Sequence, residues 1–294
     1  MKKFKSLLVA VLGTLVLAGT TGCSGIYSTS YIYENGDKYT AGDRDISEKI
    51  DTINIDYMSG DITFTGEDTN KISIKETSGK SLDDKQKVHT WVDGSTLYVR
   101  YAESAKNLDL NNLNKKLEIS IPKDVKLSEL EFVSSSGDFS GTDFEVDKLD
   151  MTVSSGDIDV DCIVTDARLT ASSGSVDIEA NGACDKIDVT TSSGRINVIA
   201  DDLKSINSTA SSGDGSFTFR KAPAELDIEA SSGEVEIYVP VDSGITADVD
   251  RSSGDFDYEL AFSNDGGKYT CGNGECKWGI NTSSGDIRIN KIAE

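Results

Sequence analysis

The chain has a single histidine, five cysteines and far fewer basic than acidic side chains, 29 against 51 over 294 residues. Each shortage excludes something. With only His89 available, none of the many repeated serines has a base beside it to take the proton from a nucleophilic hydroxyl. The same shortage removes the commonest nitrogen ligand of a metal site. His89 stands beside Trp91 in a stretch that alternates like an amphipathic strand, which is enough to account for it. Nucleic acid is excluded as a partner, because binding it depends on Lys and Arg neutralising phosphates, and this chain carries a formal charge of −22. A lyase acting on acidic sugars needs clustered cations, and the basic residues here are scattered. A hydrolase needs a carboxylate pair roughly 5 to 9.5 Å apart, which so acidic a chain can hold by chance.

No apolar run reaches the ~20 residues that span a bilayer as a helix. The stretch from Leu7 to Ala18 follows Lys2, Lys3 and Lys5 and is read as an export signal over residues 1–22. Thr20-Thr21-Gly22-Cys23 then forms a lipobox, imperfect because leucine is usual where Thr20 stands. Cys23 is the expected lipidation site, and its acyl chains would hold the protein on a membrane at roughly 0.8 kcal/mol per buried methylene. Residues 23–43, rich in Ser, Tyr, Gly and Asp, are expected to be a flexible tether. The four remaining cysteines are an even number in an oxidising compartment. Cys271 and Cys276 bracket a loop with two glycines and are expected to be bonded. Cys162 and Cys184 lie close to one repeat apart and would face each other on neighbouring coils.

The dominant feature is a repeat. Ser-Ser-Gly recurs with its glycine at Gly137, Gly156, Gly174, Gly194, Gly213, Gly233, Gly254 and Gly285, in steps of 19, 18, 20, 19, 20, 21 and 31. Around each glycine the apolar residues alternate with period two, as in Leu149, Met151 and Val153 before Gly156 and Ile158 and Val160 after it, which means strand. The nearest inward positions on the two sides are separated by five residues, an odd number, so the chain changes phase at the motif. A corner with glycine at positive φ would do this. One unit cannot bury its apolar face alone, but stacked units can. The expected fold is all-β, a single-stranded β-solenoid with coils of about 18–21 residues, and at ~4.8 Å per coil eight to ten coils make a rod on the order of 40 to 50 Å long. Residues 134–294 form its regular part. Residues 44–133 are an N-terminal cap with irregular first coils, in which Met58-Ser-Gly60-Asp61 is a degenerate corner.

The export signal, Ile119-Ser-Ile121-Pro122-Lys-Asp124 leading into the Ser-Ser-Gly units, and the echo Ile237-Tyr-Val239-Pro240-Val-Asp242 resemble a bacterial β-strand-repeat lipoprotein family. That family carries the label "putative adhesin" and a domain of unknown function. The resemblance spans roughly residues 50–292, implies the fold, and brings no catalytic residues.

Asp138, Asp157, Asp214, Asp255 and Asp286 follow their glycines, with Glu234 in the equivalent place. Stacked coils would align them into a carboxylate row of the kind calcium favours, but Ser175 and Arg195 interrupt it. Their expected role is to accept local backbone hydrogen bonds at the turn. The paired serines are expected to form a hydroxyl ladder. The function expected from all this is non-catalytic and without cofactor or metal: a monomeric, extracytoplasmic rod, anchored to the cell membrane, that binds an unknown surface protein or glycan. Tyr238, Tyr258, Tyr269 and Trp278 are its candidate contact points. The alternative is an envelope sensor or scaffold that acts on a partner membrane protein near residues 24–50, and a β-helical carbohydrate-active enzyme ranks below both.

Overall fold

Residues that alternate inward and outward over long stretches form strands, and the computed structural model, which describes residues 29–292, is all-β apart from one 3-10 turn at Gly36–Lys38. The expected export signal and the expected lipidation site, Cys23, lie outside the described residues. No helix among the described residues is long and apolar enough to cross a membrane.

The N-terminal third contains β1 (Thr29–Tyr31), β2 (Thr40–Ala41), β3 (Arg44–Ile46), β4 (Thr52–Asp56), β5 (Asp61–Glu67), β6 (Ile72–Ser78), β7 (His89–Asp93), β8 (Thr96–Arg100), β9 (Ala105–Leu108) and β10 (Lys115–Pro122). The middle is made of long strands that run from one corner to the next: β11 (Lys126–Ser136), β12 (Phe139–Ser155), β13 (Ile158–Ser173), β14 (Val176–Ser193) and β15 (Ile196–Ser212). The C-terminal part has β16 (Gly215–Phe219), β17 (Glu225–Ser232), β18 (Val235–Val239), β19 (Ile245–Arg251), β20 (Phe256–Tyr258), β21 (Ser263–Asp265), β22 (Lys268–Cys271), β23 (Cys276–Ser284) and β24 (Ile287–Lys291).

The segments before each Ser-Ser-Gly stack in parallel as one wall, and the segments after it stack as another, giving an open, solenoid-like sheet. Register follows the apolar pattern. In the first wall one column runs Leu97, Ile53, Leu130, Leu149, Ala167, Ile187, Ile206, Leu226, Trp278, Ala247, each paired with the next. None of the ten is more than 4% exposed. In the second wall Ile62, Phe139, Ile158, Val176, Ile196, Gly215, Val235, Ile287 and Phe256 line up likewise. A one-residue slip would turn each apolar side chain to water, so burial pins the register.

Stack order departs from chain order at both ends. β4 sits between β8 and β11, and β5 between β10 and β12, so the coil that comes first in the chain is second in the stack. At the other end β23 sits between β17 and β19, and β24 between β18 and β20. The C-terminal coil is therefore inserted beneath the one that precedes it. Antiparallel strands close the stack: β7 and β2 on β8, β6 and β3 on β10, and β22 and β21 on β19. They shield parallel edges that would otherwise recruit other chains. β20, three residues long, pairs with β24 alone and carries no antiparallel cover among the described residues.

The tether expected over residues 23–43 is corrected for the part described. β1 pairs with β9 and β2 with β7, and Tyr31 and Tyr33 donate their hydroxyls to the Asp56 and Ala102 carbonyls at 2.8 Å. The rings of Tyr31, Tyr33 and Tyr39 meet one another and Trp91 of β7, which docks this segment on the body.

Candidate interaction surfaces

The corner glycines stand in one column, ordered Gly60, Gly137, Gly156, Gly174, Gly194, Gly213, Gly233, Gly285, Gly254. Each nearly touches its neighbour: a Cβ on Gly174 would lie 1.9 Å from the Gly156 carbonyl oxygen, and one on Gly254 would lie 2.3 Å from that of Gly285. Gly233 has φ of 117°, but Gly137, Gly194 and Gly285 are not at positive φ. Close approach of backbones, rather than positive φ alone, is what all of them share.

Four of the five aspartates after the glycines accept backbone hydrogen bonds, but from the neighbouring coil rather than locally. Asp138 Oδ1 accepts from the Asp157 N–H at 2.9 Å, Asp157 from Ser175 at 2.7 Å, Asp214 from Glu234 at 3.0 Å and Asp286 from Asp255 at 2.9 Å. The carboxylates are thus engaged in holding coils together, and among the described residues no group of three or more His, Cys, Asp or Glu is placed to hold a metal. Serine hydroxyl bonds along the corner are sparse: Ser232 donates to the Ser211 carbonyl at 3.3 Å and Ser253 to that of Ser283 at 3.2 Å. Backbone bonds carry the ladder instead, as where the Gly174 N–H donates to Ser193 at 3.1 Å. His89 is buried in β7, away from the corner, and its Nδ1 bonds the Lys87 carbonyl at 2.8 Å.

Neither expected disulfide forms; all four described cysteines are free. Cys271 and Cys276 both pair with Ile245, one from each side. β19 runs between them, which sets their Cα atoms about two strand spacings, ~9.6 Å, apart, beyond the ~7 Å a disulfide tolerates. Their thiols bond the Ser243 and Ala222 carbonyls at 3.3 and 3.7 Å. Cys162 is level with Ala180, and Cys184 with Leu203. A bulge at the bend opposite the glycine corner has carried Cys184 four residues past, where its thiol bonds the Thr165 carbonyl at 3.4 Å. Burial pushes both the Cys162 and Cys184 thiols up to about 12, so they are inert.

The cap contains a polar knot that sequence reasoning missed. Lys115 and Glu76 form an ion pair at 2.7 Å with side chains 0% and 3% exposed. Lys115 also donates to the Gln86 carbonyl at 2.7 Å and to that of Tyr101, and lies 4.0 Å from the Tyr101 ring centroid. Glu76 accepts from the Tyr57 hydroxyl and the Val88 N–H, both at 2.8 Å. Burial lowers Lys115 to about 8, opposed by the Glu76 charge. With all three ammonium donors engaged, the lysine is a pin between β10, β6 and the loop before β7, not a nucleophile. The sequence hint was a lysine at Lys115, one place where the inward pattern calls for an apolar residue.

Aromatic groups gather at the two ends of the stack. Near the N-terminal end the rings of Tyr31, Tyr33, Tyr39, Trp91 and Tyr98 touch in succession, with centroids 5.4, 4.7, 5.6 and 5.3 Å apart. At the far end Phe256, Tyr258, Phe262 and Tyr269 form a cluster, with Phe256 and Tyr258 each 5.3 Å or less from a neighbour. Tyr258 is 41% exposed. Of the four contact points read from sequence, Tyr258 and Tyr269 are brought together. Tyr238 is half-buried on an outer face, where its hydroxyl bonds Glu236 at 3.2 Å. Trp278 belongs to the core column, with its Nε1 donating to the Pro223 carbonyl at 3.0 Å, and is not a contact point. A shallow trough nearby is lined by Ser211, Ser231, Ser283, Ser252, Glu229 and Asp250.

Among solved structures, a "putative adhesin" of Bacteroides fragilis is 13% identical, aligning 85% of this chain and 96% of its own, with a TM-score of 0.49. A "putative lipid binding protein" of Parabacteroides distasonis is 23% identical over 86% and 97%, again at 0.49. A "putative cell adhesion protein" of Clostridium sporogenes is 12% identical over 86% and 100%, at 0.33. No curated protein matches. The model of the Toastrack DUF4097 family, a domain of unknown function, matches residues 50–290, and the chain belongs to that family.

Proposed function

We propose that the chain is a non-catalytic, lipid-anchored surface rod, a single-stranded β-solenoid that holds its terminal coil away from the cell membrane to contact a surface protein or glycan. The observation that supports this most is the polarity of the stack. Thr29, six residues after Cys23, pairs with Leu108 of β9, and Tyr31 in the same strand bonds the Asp56 carbonyl at the end of β4, whereas the coil of β19 and β20 closes the opposite end. The first wall holds ten strands from β8 to β19, nine spacings or about 43 Å at the usual ~4.8 Å. The distal coil carries the exposed Tyr258 and an edge strand, the kind of aromatic anchor that dominates binding surfaces. The engaged donors of Lys115, the inert buried thiols and the absence of a base beside the motif serines favour binding over catalysis.

Truncation at residue 255 cannot test this, because it removes the inserted coil beneath β19 and β20. Point substitutions can. In pull-downs from cell-envelope extract, Tyr258→Ser combined with Phe262→Ser is expected to cut retention of the bound component at least tenfold while leaving the thermal midpoint within a few degrees. Undiminished retention contradicts a distal contact and turns attention to the alternative, a scaffold acting near its anchor.

A further inference from the structure

We infer that the side of the N-terminal coil carrying Tyr33, Tyr39, Trp91 and Tyr98 rests on the lipid headgroup layer, an inference that depends on the lipid-anchored reading above. Reach is the first argument. Only six residue steps separate Cys23 from Thr29, and a fully extended chain spans at most ~3.6 Å per residue, so the body lies within about 22 Å of an acyl-bearing cysteine. A body docked this early cannot be lifted clear by a long tether.

The surface next to that attachment has the chemistry of a membrane interface. Tyr33, Tyr39, Trp91 and Tyr98 are all half-buried, each keeping part of its ring at the surface, and the adjoining Ile32 is 54% exposed. Rings with an apolar body and a polar tip settle at the boundary between headgroups and acyl chains. Lys38 lies 4.6 Å from the Trp91 centroid, a cation able to reach a phosphate. Beneath the rings Arg100 is buried, within 5.9 Å of the Tyr33 and Tyr39 centroids and 5.3 Å of Tyr98, with its Nη1 bonded to the Asn54 and Val99 carbonyls. It stiffens the platform from below. Burial raises the Tyr33 and Tyr39 phenols, so they stay neutral at physiological pH. Glu34, Asp37 and Asp93 are exposed around the patch and argue for a zwitterionic rather than strongly anionic lipid surface.

The test uses the full chain extracted from membranes and reconstituted on phosphatidylcholine vesicles that carry a headgroup nitroxide quencher. Subtracting the emission of Trp91→Phe isolates Trp91 from Trp278 without disturbing the core. The expected result is blue-shifted Trp91 emission, quenched at least threefold more by the nitroxide than by the same quencher on vesicles mixed with a Cys23→Ser chain, and protected from aqueous iodide. Iodide access equal to that of the Cys23→Ser chain overturns the inference. So does shielding seen in native membranes but not on pure lipid, which would indicate a protein neighbour. Failure of the anchor itself is separately visible: wild type and Cys23→Ser would then fractionate identically between membrane and soluble pools.

Discussion

Lys115 illustrates how a single buried charge can be both costly and indispensable. Removing one partner of such a pair leaves the other uncompensated, typically at 3–5 kcal/mol, whereas replacing both with apolar groups is often neutral. Glu76→Ala should therefore lower stability by about that much, and Lys115→Met combined with Glu76→Leu should recover most of it, both read from urea midpoints. The pair also sets a pH dependence. The Lys115 ammonium is held at about 8 in the fold against an ordinary 10.5, so between those values the unfolded chain binds more protons. Its penalty is fully present below pH 8 and is relieved as pH rises toward 10.5. Wild type should thus gain stability relative to Lys115→Met across that window, and a flat difference would contradict the assignment. Above pH 10 the buried Tyr57, held well above the usual phenol range by burial and the nearby Glu76, works in the opposite sense. The corner glycines make a second test at this scale. Gly174→Ala places a methyl 1.9 Å from a backbone oxygen, whereas Gly182→Ala, at φ of 74°, meets nothing within 4 Å. The first should cost several kcal/mol and the second about 1 kcal/mol, the ordinary cost of a strained φ.

At the scale of elements the inserted C-terminal coil matters most. β23 lies between β17 and β19 and holds them two strand spacings apart, so the β20 edge depends on β24 for its only pairing. A chain ending at Asp286 keeps β23 but loses β24, and β20 is then ~4.8 Å too far from β18 to re-pair. Amides of residues 235–239 and 256–258 should lose hydrogen-exchange protection together; protection persisting at 256–258 would contradict the inserted order. The repeat spacing made the corners, the alternation and the buried columns legible, because each was written into every coil. The insertion was not, since parallel pairing in chain order satisfies the same apolar pattern and the longer step from Gly254 to Gly285 has no sign of direction. The cysteine pairs failed for a related reason. Nearness along the chain at Cys271 and Cys276 gives no warning that Ile245 lies between them. The docked N-terminal segment was hidden because its tyrosines are interleaved with Ser, Gly and Asp, and only the rings of β7 and β8 give them a partner.

For the molecule as a whole, the stack is held by apolar columns rather than by its many surface charges. Pairs between neighbouring coils, such as Lys204 with Asp185, Arg220 with Asp201 and Lys221 with Asp202 at 2.5, 2.6 and 2.7 Å, are largely exposed, and such pairs contribute about 0–1 kcal/mol each. The acidic excess, a formal charge of −22, opposes close approach to other acidic chains. What gives the protein its form is the single glycine column and the order of coils along it, and this can be measured with spin labels on two outward serines of the corner at a time. Placed at Ser154 and Ser283 the labels are five coils apart, about 24 Å between Cα positions, and at Ser154 and Ser252 they are six apart, about 29 Å. The account predicts that Ser283, although later in the chain, is the nearer of the two to Ser154. A shorter distance to Ser252, or distances unrelated to a common spacing, would contradict it.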